Sequence, residues 1–416
     1  MTQGTAAAEA LRRDVLGRIF APGSARAMRM GMEVELIPVE PSTGRLVAPH
    51  EPEGGGTLPL LRGAARSRGW GEGVSYAGSP RFDLPDGSHV TYEPGGQIEI
   101  SSAPAADVDA LVASLEHSVG AVLEALDGGG LAVCTRGIDP LGREADARLV
   151  LDTPRYRTMD RHFGALGPWG RRMMRQTAAL HVNLDPGPRP LERWRAATRA
   201  APALVALFAN SPRYEGRETG HRSFRAAQWR RLDPSRTGLG RAEEGPDGYL
   251  EFALTALEIV EGPEAPRPFR ARVEAGCADE AAWRRHLSTL FPEVRPRGYL
   301  EVRCLDALPP HWYVVPATLL AGLLYDDDAC REAAETLPPC DDDLLETAGR
   351  EGLAAPAVRR TADAVVTLAL DGARRLEGSC VSGWAREALE HFTSSLSAVG
   401  RDPGHTSDGA GPRGAL

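Results

Sequence analysis

Four segments of this chain alternate polar and apolar residues with a period of two, and nothing else in the sequence limits its fold so tightly. In an extended strand, residues i and i+2 face the same way. In Gly31-Met-Glu-Val-Glu-Leu, Glu33 and Glu35 share one face while Met32, Val34 and Leu36 share the other. In Gln97-Ile-Glu-Ile, Gln97 and Glu99 oppose Ile98 and Ile100. In Leu180-His-Val-Asn-Leu-Asp, His181, Asn183 and Asp185 oppose Leu180, Val182 and Leu184. In Leu300-Glu-Val-Arg, Glu301 and Arg303 oppose Leu300 and Val302. Taken singly, each is an ordinary strand with one solvated face. Together they pool carboxylates, amides, an imidazole and an arginine, which is not the usual dress of a solvated face.

The rest of the chain frames these strands. The pattern predicts a short helix before Gly23 and a strand over Met30–Val39. Loops are expected through the Gly-, Pro- and Ser-rich residues 40–80. A strand pair over His89–Ser101 turns at Gly95-Gly96, and an amphipathic helix spans Asp107–Leu126. Further strands are expected at 131–137, 180–184, 249–259 and 298–305, and a helix over Leu191–Ala209. The arginine-rich stretch Pro212–Gly245 reads as loops. Helices dominate after Pro316, as over 354–376 and 382–399. Strands first and helices last predict one α+β domain over residues 1–400, with a Gly-, Pro- and Ser-rich disordered tail at 401–416.

Composition removes several functions. The net charge of −9 argues against a general nucleic-acid or anionic-membrane binder. No apolar run approaches the roughly 20 residues of a spanning helix, and the longest, Val314–Leu324, contains Pro316. The first twenty residues hold arginines but no apolar signal-peptide core. The 6 cysteines form no CxxC pair, which suits reduced thiols in the cytoplasm. All 48 basic residues are arginine. Without lysine there is no phosphate-loop GK[ST] motif and no Schiff base, so arginine, backbone amides or metal must hold any phosphate.

If the four strands share a sheet, Glu33, Glu35, Glu99 and Glu301 crowd together. Such a group raises its own pKa values unless a cation neutralises it, and hard oxygen ligands suit Mg²⁺ or Mn²⁺. Glu93, across the Pro-Gly-Gly turn, is a further candidate ligand. His181 is read either as a structural histidine or as an added ligand. Arg222, Arg225 and Arg236, in the arginine-rich stretch, are read either as solvated or as clamps on a transferring phosphoryl group.

These residues resemble the type 2 glutamate–cysteine ligase family. The matching segments are Gly31-Met-Glu-Val-Glu, Glu93-Pro-Gly-Gly-Gln-Ile-Glu, Val182-Asn-Leu-Asp, Asp233-Pro-Ser-Arg-Thr-Gly, His286-Leu-Ser-Thr-Leu-Phe-Pro-Glu-Val-Arg, Tyr299-Leu-Glu-Val-Arg and Gly322-Leu-Leu-Tyr-Asp. Within the family the chain most resembles the actinobacterial branch that makes γ-glutamylcysteine for ergothioneine. The resemblance implies a glutamine-synthetase-like antiparallel sheet forming a funnel, with helices packed around it. It implies ATP-dependent activation of the glutamate γ-carboxylate as an acyl phosphate, then attack by an amine. It implies Glu33, Glu35, Glu93, Glu99, Glu301 and His181 as metal ligands. Arg303, Arg236 and Arg225 would be catalytic, while Gln97, Asn183, Arg222, His286 and Arg295 would bind substrate or nucleotide. The implied partners are L-glutamate, ATP and L-cysteine or another amine.

One segment departs from the family pattern. Where acceptor binding is expected, the chain reads Ala256-Leu257-Glu258. A carboxylate beside the acceptor would favour a cationic or polar amine over cysteine. That departure bears on the acceptor and not on the ligase chemistry; besides glutamate–cysteine ligase, three readings stay open. They are a γ-glutamyl ligase for another amine, a non-catalytic nucleotide- or metal-binding module, and a two-carboxylate hydrolase.

Overall fold

The computed structural model describes residues 3–23, 28–51, 55–238, 245–261 and 265–399. The expected tail at 401–416 lies outside these. The described residues form eleven strands: β1 (Met30–Val39), β2 (Gly71–Val74), β3 (Pro80–Asp83), β4 (His89–Tyr92), β5 (Ile98–Ser101), β6 (Ala132–Cys134), β7 (Ala179–Leu184), β8 (Arg213–Tyr214), β9 (Arg217–Glu218), β10 (Val294–Pro296) and β11 (Leu300–Asp306). Nine of them make one sheet in the order β10-β11-β7-β1-β5-β4-β3-β2, with β6 pairing the far end of β1. Every pairing is antiparallel. The β4–β5 turn runs through Gly96, whose φ of 98° is a conformation side chains disfavour.

The period-two pattern sets which face is buried. Met30, Met32, Val34, Leu36, Val90, Ile98, Ile100, Leu180, Val182, Leu184, Leu300 and Val302 all join the core. Helices Val108–Asp127, Pro190–Leu207 and Val314–Tyr325 pack against the sheet. The last is buried along its whole length, which explains the continuous apolar run; Pro316 falls in its first turn, where proline costs no hydrogen bond. Among the described residues no helix is long and apolar enough to cross a membrane. All six cysteines are unbridged.

Three expectations fail. Residues 40–80 are not all loop: Thr57–Arg68 is helical, burying Leu58, Leu61, Ala64 and Ala65 at helical spacing before Gly69 ends it. Residues 249–259 are not a strand: Pro246–Thr255 is a helix started by proline in its first turn. The arginine-rich stretch contains the β8–β9 hairpin and helices Phe224–Leu232 and Pro234–Thr237, each of the two helices capped by a side chain (Ser223 and Asp233). Arg225 and Arg236 therefore sit on helices.

Candidate active site

Register brings the polar faces together. Glu33 of β1 lies opposite His181 of β7 and Ser101 of β5, and Glu35 lies opposite Glu99. Glu301 of β11 lies opposite Asn183 and Arg295, and Thr91 of β4 lies opposite Glu99. Directly opposed side chains share a face, so one side of the sheet carries the whole set.

Hydrogen bonds fix its centre. His181 Nδ1–H donates to Glu33 at 3.1 Å, and the Asn183 amide donates to the other Glu33 oxygen at 2.9 Å. Burial pushes the Glu33 carboxyl up and the Glu301 charge adds to that, but His181 and Asn183 together hold it below its usual range. An imidazole that donates from Nδ1 leaves Nε2 as the nitrogen able to meet a ligand. That atom is buried with no hydrogen-bond partner among the described residues, as is Asn183 Oδ1. One ligand atom from each of Glu33, His181 and Glu301 lies within 4.8 Å of the others.

Glu301 is almost fully buried and surrounded by guanidinium groups. Arg295 grips it with Nε at 2.5 Å and a second N–H at 3.1 Å, Arg303 stands 3.1 Å away, and Arg297 is at 3.4 Å. Burial opposes ionisation, yet Arg295 and Arg303 hold the carboxyl well below the usual range. Arg225, on the neighbouring helix, donates to the Arg303 carbonyl at 2.9 Å and lies 4.7 Å over the Trp229 ring.

The opposite side of the cluster is not balanced. Burial and the repulsion of Glu35 push Glu93 up to about 8. Burial and the charges of Glu93, Glu33 and Glu35 push Glu99 well above its usual range. Thr91 donates to Glu99 at 3.0 Å and the Ala179 N–H donates to Glu35 at 2.8 Å. Gln97 donates to the Thr177 carbonyl at 2.7 Å, leaving its own carbonyl oxygen buried and unpartnered. A crowded, half-buried carboxylate group, with Arg303 the cation that opposes its repulsion at Glu93, beside an imidazole nitrogen without a partner, fits a divalent metal.

Arg155 is the residue that the sequence reading missed. It stands half-buried at the start of helix Pro154–Ala165, and its hydrogen bonds go to the Ser288 hydroxyl at 2.9 Å and carbonyl at 3.2 Å. No carboxylate of the described residues is within ion-pair distance of it. Burial pushes its guanidinium pKa down, and Glu93 and Arg295 lie within electrostatic reach. Nothing in Pro154-Arg-Tyr-Arg marks it; only its missing counter-ion does. Beside Glu93, from Gly95 to Gln176, opens a cleft of about 650 Å³ lined in part by Arg45, Arg143, Arg148 and Arg175.

Four sequence candidates lie apart from this cluster by their contacts. Arg236, fully buried, is held by Asp233 at 2.8 Å, by Thr289 at 3.0 Å and by the Leu257 carbonyl. His286 stacks 4.5 Å from the Phe269 ring and donates to the Ala253 carbonyl at 2.7 Å; burial pushes its pKa down to about 3. Arg222 is exposed, and its backbone N–H donates to the Gly349 carbonyl at 2.9 Å. Glu258 is gripped by Arg272 through two contacts of 2.9 Å, so its charge is already neutralised.

Carboxylates, an imidazole and arginines gathered at one antiparallel sheet make a cluster whose chemistry suits phosphate and carboxylate groups. The family model for glutamate–cysteine ligase family 2 matches residues 29–395, and the chain belongs to that family. It is 36% identical over 293 residues to the glutamate–cysteine ligase EgtA of Mycobacterium tuberculosis, covering 65% of this chain and 67% of the relative. It is 28% identical over 413 residues to the chloroplastic glutamate–cysteine ligase of Arabidopsis thaliana, covering 90% and 76%. Its fold is similar to that of a glutamate–cysteine ligase from Francisella tularensis solved in complex with AMP, with a TM-score of 0.57, 13% identity, and 92% and 84% of the two chains covered.

Proposed function

We propose that this chain is an ATP-dependent glutamate–cysteine ligase. The observation that carries the reading is the split of charge across one site: carboxylates in excess on the Glu93–Glu99 side, arginines on the Glu301–Arg303 side. A hydrolase working with two carboxylates leaves those arginines without a task. A reaction that brings a triphosphate against a carboxylate needs both halves.

Glu33, Glu35, Glu93, Glu99 and His181 Nε2 are the groups that would hold Mg²⁺ or Mn²⁺, with Glu301 shared between cation and arginines. Such an ion supplies charge neutralisation for the phosphate oxygens. Arg155, desolvated and without a counter-ion, is suited to a substrate carboxylate. The arginine-lined cleft beside Gly95 is the natural place for the nucleotide. Arg303 and Arg225 each keep a buried Nε–H without a partner, so both have a donor in hand for the phosphoryl oxygens.

In this reading a γ-carboxylate oxygen of glutamate attacks the γ-phosphorus of ATP and ADP leaves. The amine then attacks the acyl carbon of γ-glutamyl phosphate, phosphate leaves with the carbon–oxygen bond pair, and the nitrogen gives up its proton. The pairing of Glu258 with Arg272 removes the one feature that argued for a cationic acceptor, so cysteine is preferred over other amines. The test is ADP release with Mg²⁺, ATP and L-glutamate, with and without L-cysteine, followed by the product mass. Cysteine-dependent release with γ-glutamylcysteine as product is expected. Release that ignores cysteine would keep the activation step and redirect the search to other amines; no glutamate-dependent release would sink the ligase reading.

A further inference from the structure

We propose that Asp306 is a positioning residue for the phosphate-handling arginines, a buried carboxylate that sets Arg225 against Arg303. This inference rests on the ligase reading above. Asp306 ends β11, the strand of Glu301 and Arg303, and is 1% exposed. It accepts the Asn210 backbone N–H at 2.8 Å, the Ser211 hydroxyl at 2.6 Å and the Ser223 hydroxyl at 2.9 Å. One Arg225 nitrogen stands 4.0 Å away, and no other carboxylate of the described residues comes within ion-pair distance of that guanidinium.

Both serines act on the segment that carries Arg225. Ser211 Oγ accepts the Arg225 backbone N–H at 3.1 Å. Ser223 Oγ accepts the Ala226 N–H at 3.0 Å and so caps helix Phe224–Leu232. Asp306 thereby orients the two hydroxyls that fix where this helix begins, and its charge faces the Arg225 head. The head donates in turn to the Arg303 carbonyl at 2.9 Å. Asp306 thus places the helix arginine against the backbone of the strand arginine, whose own head pairs with Glu301, and each of the two keeps an unspent Nε–H.

The same carboxylate ties the arginine half of the site to the carboxylate half. A Cβ at Gly137 would lie 2.3 Å from the Asp306 carboxyl carbon, so only glycine leaves room there. The Gly137 N–H donates to the Asn210 carbonyl at 3.2 Å, and its carbonyl accepts the Ala178 N–H at 3.0 Å. The next residue, Ala179, donates to Glu35. A carboxylate needed only for packing would show its loss in stability. One that aims donors at developing charge shows it in turnover with binding kept.

The experiment is steady-state kinetics and melting of wild type, Asp306→Asn and Ser211→Ala. For Asp306→Asn, kcat should fall about 10²-fold, the order seen when one preorganised donor is lost. Its KM values for glutamate and ATP should stay within about threefold of wild type, as expected for an interaction made only in the transition state. Ser211→Ala keeps the carboxylate and should lose about tenfold in kcat. An active wild type whose Asp306→Asn form keeps kcat, or loses it only through KM or through the unfolded fraction, would overturn the positioning role and leave the ligase reading standing. If Asp306→Asn does not fold, unchanged kcat in Ser211→Ala overturns it. A wild type without glutamate-dependent ADP release would overturn the ligase reading itself.

Discussion

Two regions of this molecule bury charge, and they treat it in opposite ways. Around Arg236 every charge is matched: Asp233 accepts from Arg236, Ser235 and His162, and Arg236 spends its remaining donors on Thr289 and Leu257. Around Glu99 the charges are not matched. Glu93 and Glu99 are pushed up, His181 Nε2 and Asn183 Oδ1 have no partners, and Arg155 has no counter-ion. Both regions fall within motifs that the sequence singles out, yet their spare capacity differs: beside Arg236 it is the single nitrogen His286 Nδ1, while around Glu99 it is a crowd of carboxylates with His181 Nε2, Asn183 Oδ1 and Gln97 Oε1. A satisfied buried network holds a fold together; an unsatisfied one is waiting for something.

That contrast can be broken by substitution. Glu99→Gln should lower turnover by roughly 10³-fold, since it removes a group that stabilises the reaction's charge. It should leave the melting temperature equal or higher, because a neutral amide replaces a repelled carboxyl. A clear loss of stability would show that the Glu99 charge is already compensated. Asp233→Asn should do the reverse, costing about 3–5 kcal/mol by leaving Arg236 buried and unpaired. The folded fraction should turn over near the wild-type rate, and a specific kcat loss would return Arg236 to the site.

A smaller effect is expected at Arg155. Arg155→Ala should raise the KM for an amino-acid substrate about 10- to 100-fold, the worth of a charge-assisted hydrogen bond, with little change in melting. Kinetics against glutamate, against cysteine and against cysteamine, which lacks the carboxylate, would identify which substrate it holds. An unchanged KM for all of them would remove it from the site.

The matched region also carries a pH signature. His286 is neutral when folded, with burial holding its pKa near about 3, while the unfolded side chain titrates near about 6.5. The unfolded state then binds the proton first, so stability is lost as pH falls below about 6.5. Asp233 loses its contribution later: burial raises it, but His162 and Arg236 hold it near about 2, so its share fades between about 4 and that value. Protonation of Glu93 and Glu99, both pushed up in the folded state, acts the other way over the same range, so the signature is a difference: from about pH 7.5 to 5.5 the melting temperature of wild type should fall relative to that of His286→Gln.

The sheet was legible because its signal is geometric. Alternation in Glu33–Glu35, Gln97–Glu99, His181–Asn183 and Glu301–Arg303 fixes a face whatever the partner strands are, and the observed register joins those faces. Helix Pro246–Thr255 was not legible from its apolar run, since so short a segment suits strand and helix alike; Gly245-Pro246 was the start signal available. Arg225 and Arg236 were picked out for their type, but type does not reveal a counter-ion. Asp233 lies three residues from Arg236, while Arg225 finds Asp306 only through the fold. Arg155 was invisible for the same reason, and so was the neutralisation of Glu258 by Arg272.

The central claim is that the unmatched carboxylates are a cation site. The direct test is the melting temperature of wild type and Glu99→Gln as Mg²⁺ or Mn²⁺ is titrated without substrates. A ligand at about 100 times its Kd stabilises by about 2.7 kcal/mol, so the wild type should melt several degrees higher with saturating metal and Glu99→Gln should respond much less. No shift in the wild type, or an equal shift in both, would contradict the account.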